Sequence, residues 1–270
     1  MACELKLEYC TRSSGCSECP YFVSPHNSYI GSSEWQQECD RINKEYQDKK
    51  NLERKHFIKG ILPQCVFPLI NVDGVGFFIK DHFVTCGHCL KDGYVKIVYE
   101  GRELIFLKED ALVYLTIDPK SVDEQYGDIA IFPAKGIRNF LKIGAEPDEF
   151  KYTVFDKLLM IATIEHKCDY PMSDNVSPIF APPMEKFELT TSNAKELSII
   201  GHTKKEGSYV SNFFEVCTDK LFSHGASGSP IFNEDNEVLG LLIGCLNPES
   251  EPYRILFHPL ARYKYGLGLY

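Results

Sequence analysis

Three short segments hold residue types that can act together on an acyl carbon. In Ser223-His224-Gly225-Ala226-Ser227-Gly228-Ser229-Pro230, Ser227 stands between glycines and just ahead of an apolar run. A serine in such a tight turn can present its hydroxyl to a peptide carbonyl while neighbouring backbone N–H groups stabilise the oxyanion that attack creates. Gly225 can take backbone angles that aim its N–H inward, which a residue with a β-carbon resists. A Gly-Ser hairpin loop without chemistry is the plain alternative. In Val84-Thr85-Cys86-Gly87-His88-Cys89, an apolar hairpin ends on His88, whose unperturbed pKa suits a general base. The alternatives are a structural histidine, or a small metal cluster of His88 with Cys86 and Cys89. Two cysteines so close around a histidine on an extended segment cannot readily converge on one ion. In Tyr126-Gly127-Asp128-Ile129-Ala130-Ile131-Phe132, an acidic residue directly precedes a buried-type strand. There it can orient a histidine and stabilise the imidazolium, or simply occupy a turn.

These residues need a scaffold that brings distant segments together, and the chain has the material for one. From about residue 57, short runs rich in Val, Ile, Phe, Tyr and Thr alternate with Gly, Asp, Asn and Pro clusters. The runs are Cys65–Val72, Gly76–Ile79, Phe83–Thr85, Tyr94–Tyr99, Glu103–Phe106, Leu112–Ile117, Ile129–Phe132, Leu158–Ile164, Glu196–Ile200, Phe213–Cys217, Pro230–Phe232, Val238–Ile243 and Tyr253–Phe257. Many short strands at fairly regular spacing predict an all-β barrel or sandwich. The looser stretch 133–149 is expected to connect two halves. Residues 32–56 read as a helix, with Ser33 and Gln36 as a capping box and Trp35, Cys39, Ile42 and Tyr46 on one stripe. That stripe is expected to pack on the chain's own main domain.

Taken together and in their order, His88, Asp128 and Ser227 resemble the chymotrypsin-like serine protease family: T-x-x-H-C at His88, D-I-A at Asp128 and G-x-S-G-x-P at Ser227. The resemblance covers roughly residues 65 to 260. It implies an all-β fold of two six-stranded antiparallel barrels, about 57–140 and 141–270, preceded by a Cys-rich arm and the helix (1–56). It also implies a Ser227–His88–Asp128 triad in the cleft between the barrels, an oxyanion hole from the backbone N–H groups of Gly225 and Ser227, and no cofactor for catalysis. Thr218-Asp219, Leu197-Ser198-Ile199-Ile200-Gly201 and the compact hairpin after Pro230 look like bacterial trypsin-like peptidases of the high-temperature-requirement type, with no appended PDZ domain expected.

Departures from the family pattern are equally informative. Ala226 stands where digestive members carry an aspartate that pairs with a newly cleaved N-terminus, so activation by N-terminal insertion is not expected. Aligning on His88 puts Asp73 near the place of the cysteine bridged to Cys89, leaving Cys89 a free thiol unless Cys65 substitutes. The same alignment assigns the substrate pocket to Leu221 at its floor and to Leu242, Gly244 and the rest of Leu242–Leu246 at its wall. Neither an Asp nor a His stands there, so an apolar or small side chain is the expected preference.

Bulk properties narrow the classes further. At 270 residues, 44% hydrophobic and 25% charged, the chain has the composition of an ordinary globular protein. A net charge of −9 argues against general nucleic-acid or anionic-membrane binding, because phosphate contacts need clustered Lys and Arg. The expected partners are a protein or peptide substrate and a regulatory protein at the N-terminal segment. The N-terminus has no apolar core of the kind a signal peptide needs, and no apolar run approaches the length of a membrane span; a cytoplasmic location is the expectation. Eleven cysteines in such a compartment read mostly as reduced thiols packed as small hydrophobes. Cys10, Cys16 and Cys19, with Cys39 or His26 as fourth ligand, present either a structural zinc site or free thiols in a loosely packed arm. A catalytically silent, protease-like binding scaffold is the rival from another functional class.

Overall fold

The computed structural model describes residues 33–116, 127–145, 159–167, 186–200, 213–218, 221–222, 225–245 and 251–268. The chain divides into two units, Met1–Lys55 and His56–Tyr270. In the first, the described residues form helix α1 (Ser33–His56). Its charged residues pair along one side: Arg41 bridges Glu38 (2.6 Å) and Glu45 (2.5 Å) at i,i+3 and i,i+4 spacing. Along the expected apolar stripe, Cys39 is buried while Tyr46 is exposed. The Trp35 side chain and Cys10, Cys16, Cys19 and His26 lie outside the described residues.

The second unit is mostly β. Its described strands are β1 (Val66–Pro68), β2 (Val75–Ile79), β3 (His82–Thr85), β4 (Tyr94–Tyr99), β5 (Arg102–Leu107), β6 (Val113–Leu115), β7 (Ile129–Pro133), β8 (Leu159–Lys167), β9 (Lys186–Ile200), β10 (Phe213–Thr218), β11 (Pro230–Phe232), β12 (Val238–Cys245) and β13 (Tyr253–Pro259). The first seven form an antiparallel sheet in the order β1-β2-β3-β7-β6 and a separate β4–β5 hairpin. The last six pair in a closed ring, β10-β13-β12-β11-β8-β9.

The described residues therefore do not form the expected first six-stranded barrel. At the gap between β1 and β4, the link is made by Asn71, in the turn after β1. Its Oδ1 accepts from Lys96 N–H (2.8 Å) and its Nδ2 donates to Tyr94 O (3.1 Å). Ile70 N–H adds a bond to Lys96 O (2.9 Å). An asparagine side chain thus takes ladder positions on the β4 edge that a neighbouring strand would otherwise use. The run expected over Cys65–Val72 is shortened for the same reason, and because Pro68 has no N–H to donate.

In the opposite direction, β9 runs ten residues further toward its N-terminal side than the sequence suggests, through the polar stretch Lys186–Lys195. It pairs with the whole of β8 from Lys167↔Lys186 to Leu159↔Ala194. Strand preference depends on what a segment pairs with more than on its own composition.

The larger core joins both halves of the second unit. Phe77, Phe78, Phe83 and Phe132 of the open sheet share it with Phe232, Val238 and Leu241 of the ring. Phe57, just past the helix, meets Phe232 edge-on at 5.2 Å, and full burial of such a side chain contributes roughly 1.5–3 kcal/mol. Residues 141–144 stitch the halves with backbone bonds: Leu141 N–H to Phe78 O (2.8 Å), Val238 N–H to Lys142 O (2.7 Å) and Gly144 N–H to Val238 O (2.9 Å). No described helix is long and apolar enough to cross a membrane.

Candidate active site

β3 and β7 lie side by side, with Thr85 opposite Ala130. The residues just beyond the end of one and just before the start of the other must therefore be neighbours. Gly87–Leu90 forms a 3-10 turn after β3, and this turn carries His88 back over Asp128. His88 Nδ1 lies 2.5 Å from Asp128 Oδ2, and the His88 backbone N–H donates to Asp128 Oδ1 at 2.8 Å. Asp128 is completely buried, while the His88 side chain is 42% exposed. Both carboxylate oxygens are thus committed to one residue, which fixes the ring's orientation and leaves one edge open to solvent.

Burial pulls the His88 pKa down. The hydrogen bond and charge of Asp128, with a contribution from Cys89, outweigh it and push the value up to about 10. In this conformation the ring holds its proton at neutral pH.

Ser227 arrives from the ring, in the turn before β11. Its loop is held on both sides: Val75 N–H of the open sheet donates to Ser227 O (2.8 Å), and Gly228 N–H donates to Leu242 O of the ring (2.7 Å). Gly225 and Gly228 both hold positive φ, 97° and 88°. At Gly228 a β-carbon would stand 2.0 Å from Val75 O and 3.0 Å from Thr85 Oγ1. Thr85 Oγ1 itself donates to Val75 O at 2.7 Å. The backbones thus approach so closely that only glycine fits. The Ser227 hydroxyl donates its single proton to Ile243 O (3.0 Å), so the proton that a nucleophile must surrender points at β12 rather than at the imidazole.

Cys86 joins the same locality. Its buried thiol donates to Leu242 O at 3.2 Å, sharing that acceptor with Gly228 N–H. Burial and then the nearby Asp128 charge push its pKa well above the ordinary thiol value, so the proton stays on sulfur. Cys86, His88 and Asp128 offer ligand atoms that all lie within 4.8 Å of one another. The metal grouping weighed from the sequence, His88 with Cys86 and Cys89, is thus replaced by one in which Asp128 takes the place of Cys89. The buried residue that sequence reasoning overlooked is His258. Its Nε2 meets Tyr263 Oη at 2.9 Å, its Nδ1 has no partner, and a β-carbon on Gly127, beside Asp128, would stand 3.0 Å from its Cε1. Burial and Arg262 hold it neutral, with a pKa down to about 3. A histidine inside an apolar strand, Ile255-Leu256-Phe257-His258, was the signal for it.

Two sequence expectations around the site change. The position facing Cys89 is Gly74 rather than Asp73: a β-carbon on Gly74 would lie 2.9 Å from Cys89 Sγ. Cys65, Cys86 and Cys89 are all free thiols. Of the three pocket residues, Leu221 is 44% exposed, but Leu242 is 2% exposed and packs with Ile161, Val216 and Ala226 in the second core. Leu242 therefore offers its carbonyl to the site and its side chain to the interior; Gly244 remains half-buried at the surface.

The Gly74 geometry is directly testable. A β-carbon about 3 Å from a partner sulfur is what a disulfide requires, so Gly74→Cys should form a bond to Cys89 on oxidation. The closed loop of about 15 residues should then add about 3 kcal/mol, reduced by the nudge to Leu69, whose Cδ1 also lies 2.9 Å away. Peptide mapping of the thiols at positions 74 and 89, apart from the chain's other ten cysteines, and the oxidised-minus-reduced melting difference read the result; both of these two thiols still free after oxidation would refute the placement.

No protein-family model matches the chain, and no curated protein matches it. Solved structures do. The Rv3671c protease of M. tuberculosis in its inactive form aligns with TM-score 0.48 at 17% identity, over 78% of this chain and 92% of that one. The serine protease of human pathogenic astrovirus aligns with TM-score 0.39 at 18% identity, over 73% and 88%. The serine endoprotease of Yersinia pestis aligns with TM-score 0.47 at 16% identity, over 79% and 65%. What the chain is similar to, in each case, is a protease.

Proposed function

We propose that the chain is a serine endopeptidase that cleaves a protein substrate through an acyl-enzyme at Ser227, with His88 as general base and Asp128 as its orienting carboxylate. The observation that carries this reading is the buried Asp128 carboxylate gripping His88 through both ring and backbone nitrogen. A buried carboxyl group is costly unless its oxygens are hydrogen-bonded, and here both serve to fix the imidazole in tautomer and direction. Attack needs the Ser227 hydroxyl to leave Ile243 O and donate to His88 Nε2. The resulting oxyanion would be met by the N–H groups of Gly225 and Ser227, and the departing amine would take the proton back from His88. Leu221, with Gly244, would receive a small or apolar substrate side chain.

The committed Ser227 proton and the protonated ring favour a resting form that a partner or the N-terminal segment converts to an active one. The same observation is what a silent binding scaffold would present. Labelling with a fluorophosphonate, which reacts only with a serine activated by a base, separates the two. An adduct on the peptide containing Ser227, absent in Ser227→Ala, is expected. Lack of any adduct there across pH and candidate partners would leave the scaffold standing.

A further inference from the structure

We propose that Cys86, His88 and Asp128 form a binding site for a thiophilic divalent cation of the zinc class, and that the bound ion holds the peptidase inactive. Cation binding stands on its own geometry; the inhibitory consequence rests on the peptidase reading.

The three ligand atoms all fall within 4.8 Å of one another. A tetrahedral zinc with one sulfur, one nitrogen and one oxygen ligand sets them about 3.3–3.6 Å apart. Reaching that arrangement needs a shift of about 1 Å, in which the His88 ring moves off Asp128 Oδ2 from its present 2.5 Å. The ring is gripped by Asp128 but not enclosed, with its side chain 42% exposed, so it has room to shift once the ion replaces that grip, whereas Cys86 and Asp128 are buried in the interior.

Charge supports the donor set. A thiolate beside a carboxylate in a dry site is strongly unfavourable without a cation between them. A dication between one thiolate and one carboxylate makes the group neutral as a whole and removes that penalty. Sulfur with imidazole selects zinc-like ions over magnesium or calcium, which want oxygen. On binding, the Cys86 thiol proton and the proton between His88 Nδ1 and Asp128 pass to solvent. No bond to carbon changes and nothing is oxidised. A fourth position stays open for water. His88 would then be held by the ion instead of by Asp128, and could no longer be oriented toward Ser227.

The test uses the full chain carrying Cys10→Ser, Cys16→Ser and Cys19→Ser, so that the N-terminal thiols do not compete, under a phosphine reductant. Co2+ is titrated as a spectroscopic probe. The expected result is a sulfur-to-cobalt charge-transfer band with intense tetrahedral visible bands, saturating at one ion per chain and displaced by Zn2+. Cys86→Ala and His88→Gln should each weaken binding at least about 100-fold, while Cys245→Ser should not. Thermal melts check that the variants fold, and the exposed His88→Gln substitution keeps the test valid should Cys86→Ala fail to fold. A spectrum without the charge-transfer band, or binding unchanged in both variants, overturns the site. Fluorophosphonate labelling with and without one equivalent of Zn2+ reads the consequence. Labelling of Ser227 that persists at saturating Zn2+ overturns the inhibitory role. Cobalt binding in a chain that never labels would keep the site and remove the peptidase.

Discussion

Asp128→Asn should lower kcat by about 10⁴-fold while the chain stays folded. An asparagine can still accept the His88 backbone N–H through its single oxygen. Its NH2 group then faces His88 Nδ1, which now lies 2.5 Å from a carboxylate oxygen. Two donors cannot share that position, so the ring is driven to the tautomer with its proton on Nε2, where it cannot accept a proton from Ser227. The pH profile should move as well. With the carboxylate present, the His88 pKa stands at about 10, above the ordinary histidine value near 6.5. The free-base form grows as pH rises, so the acid limb of kcat/KM in the wild type lies well on the alkaline side of 6.5, and in Asp128→Asn it drops back. A limb that does not move would remove His88 as the titrating base. Stability follows the same linkage. A histidine with a raised folded pKa contributes stability that is fully present below about pH 6.5 and lost as pH climbs toward the folded value. The wild type should therefore lose melting temperature over that alkaline window more than the variant does.

Gly87→Ala should damage both folding and chemistry. Gly87 sits between Cys86 and His88 in the turn that lifts the imidazole over Asp128. A β-carbon there would stand 1.9 Å from the backbone oxygen of Leu115 and 3.2 Å from Asp128 Oδ1. Neither neighbour can swing away: Leu115 O belongs to β6, which is laddered to β7, and Asp128 is buried. The turn itself must move. Overpacking of this kind costs typically 1–3 kcal/mol, and more where the obstacle is backbone. A displacement of the base by about 1 Å costs on the order of 100-fold in rate. Gly60→Ala is the matched control, because nothing lies within 4 Å of its β-carbon position. Chemical denaturation and turnover of the two variants side by side give the answer; a Gly87→Ala chain as stable and as active as the Gly60→Ala control would contradict the geometry at His88.

Much of the β architecture can be read from local sequence, because a strand half-buried in a sheet needs alternating or continuous apolar residues wherever it occurs. Ile129–Phe132, Pro230–Phe232 and Tyr94–Tyr99 are strands by their own composition, and the glycines around Ser227 announce a tight turn. The meeting of His88 with Asp128 is expected only from the family resemblance of their segments; the structure supplies the local reason, since each stands at the end of an apolar run and the two runs pair. The extension of β9 through Lys186–Lys195 was not legible, since its polar residues become a strand only because β8 offers nine residues of ladder. Nor could sequence separate Gly74 from Asp73 as the neighbour of Cys89, a distinction of one residue that depends on how tightly the turn before β2 closes. The direction of the Ser227 proton, the burial of Leu242 and the gathering of Cys86 with the His88–Asp128 pair are all decided by tertiary contacts. Residue types and spacing determine which groups this chain can bring to a reaction. Which acceptor a hydroxyl chooses, and which thiol comes to lie behind a carboxylate, depends on distances of a few ångströms between segments far apart in the chain, and only the packed structure sets those.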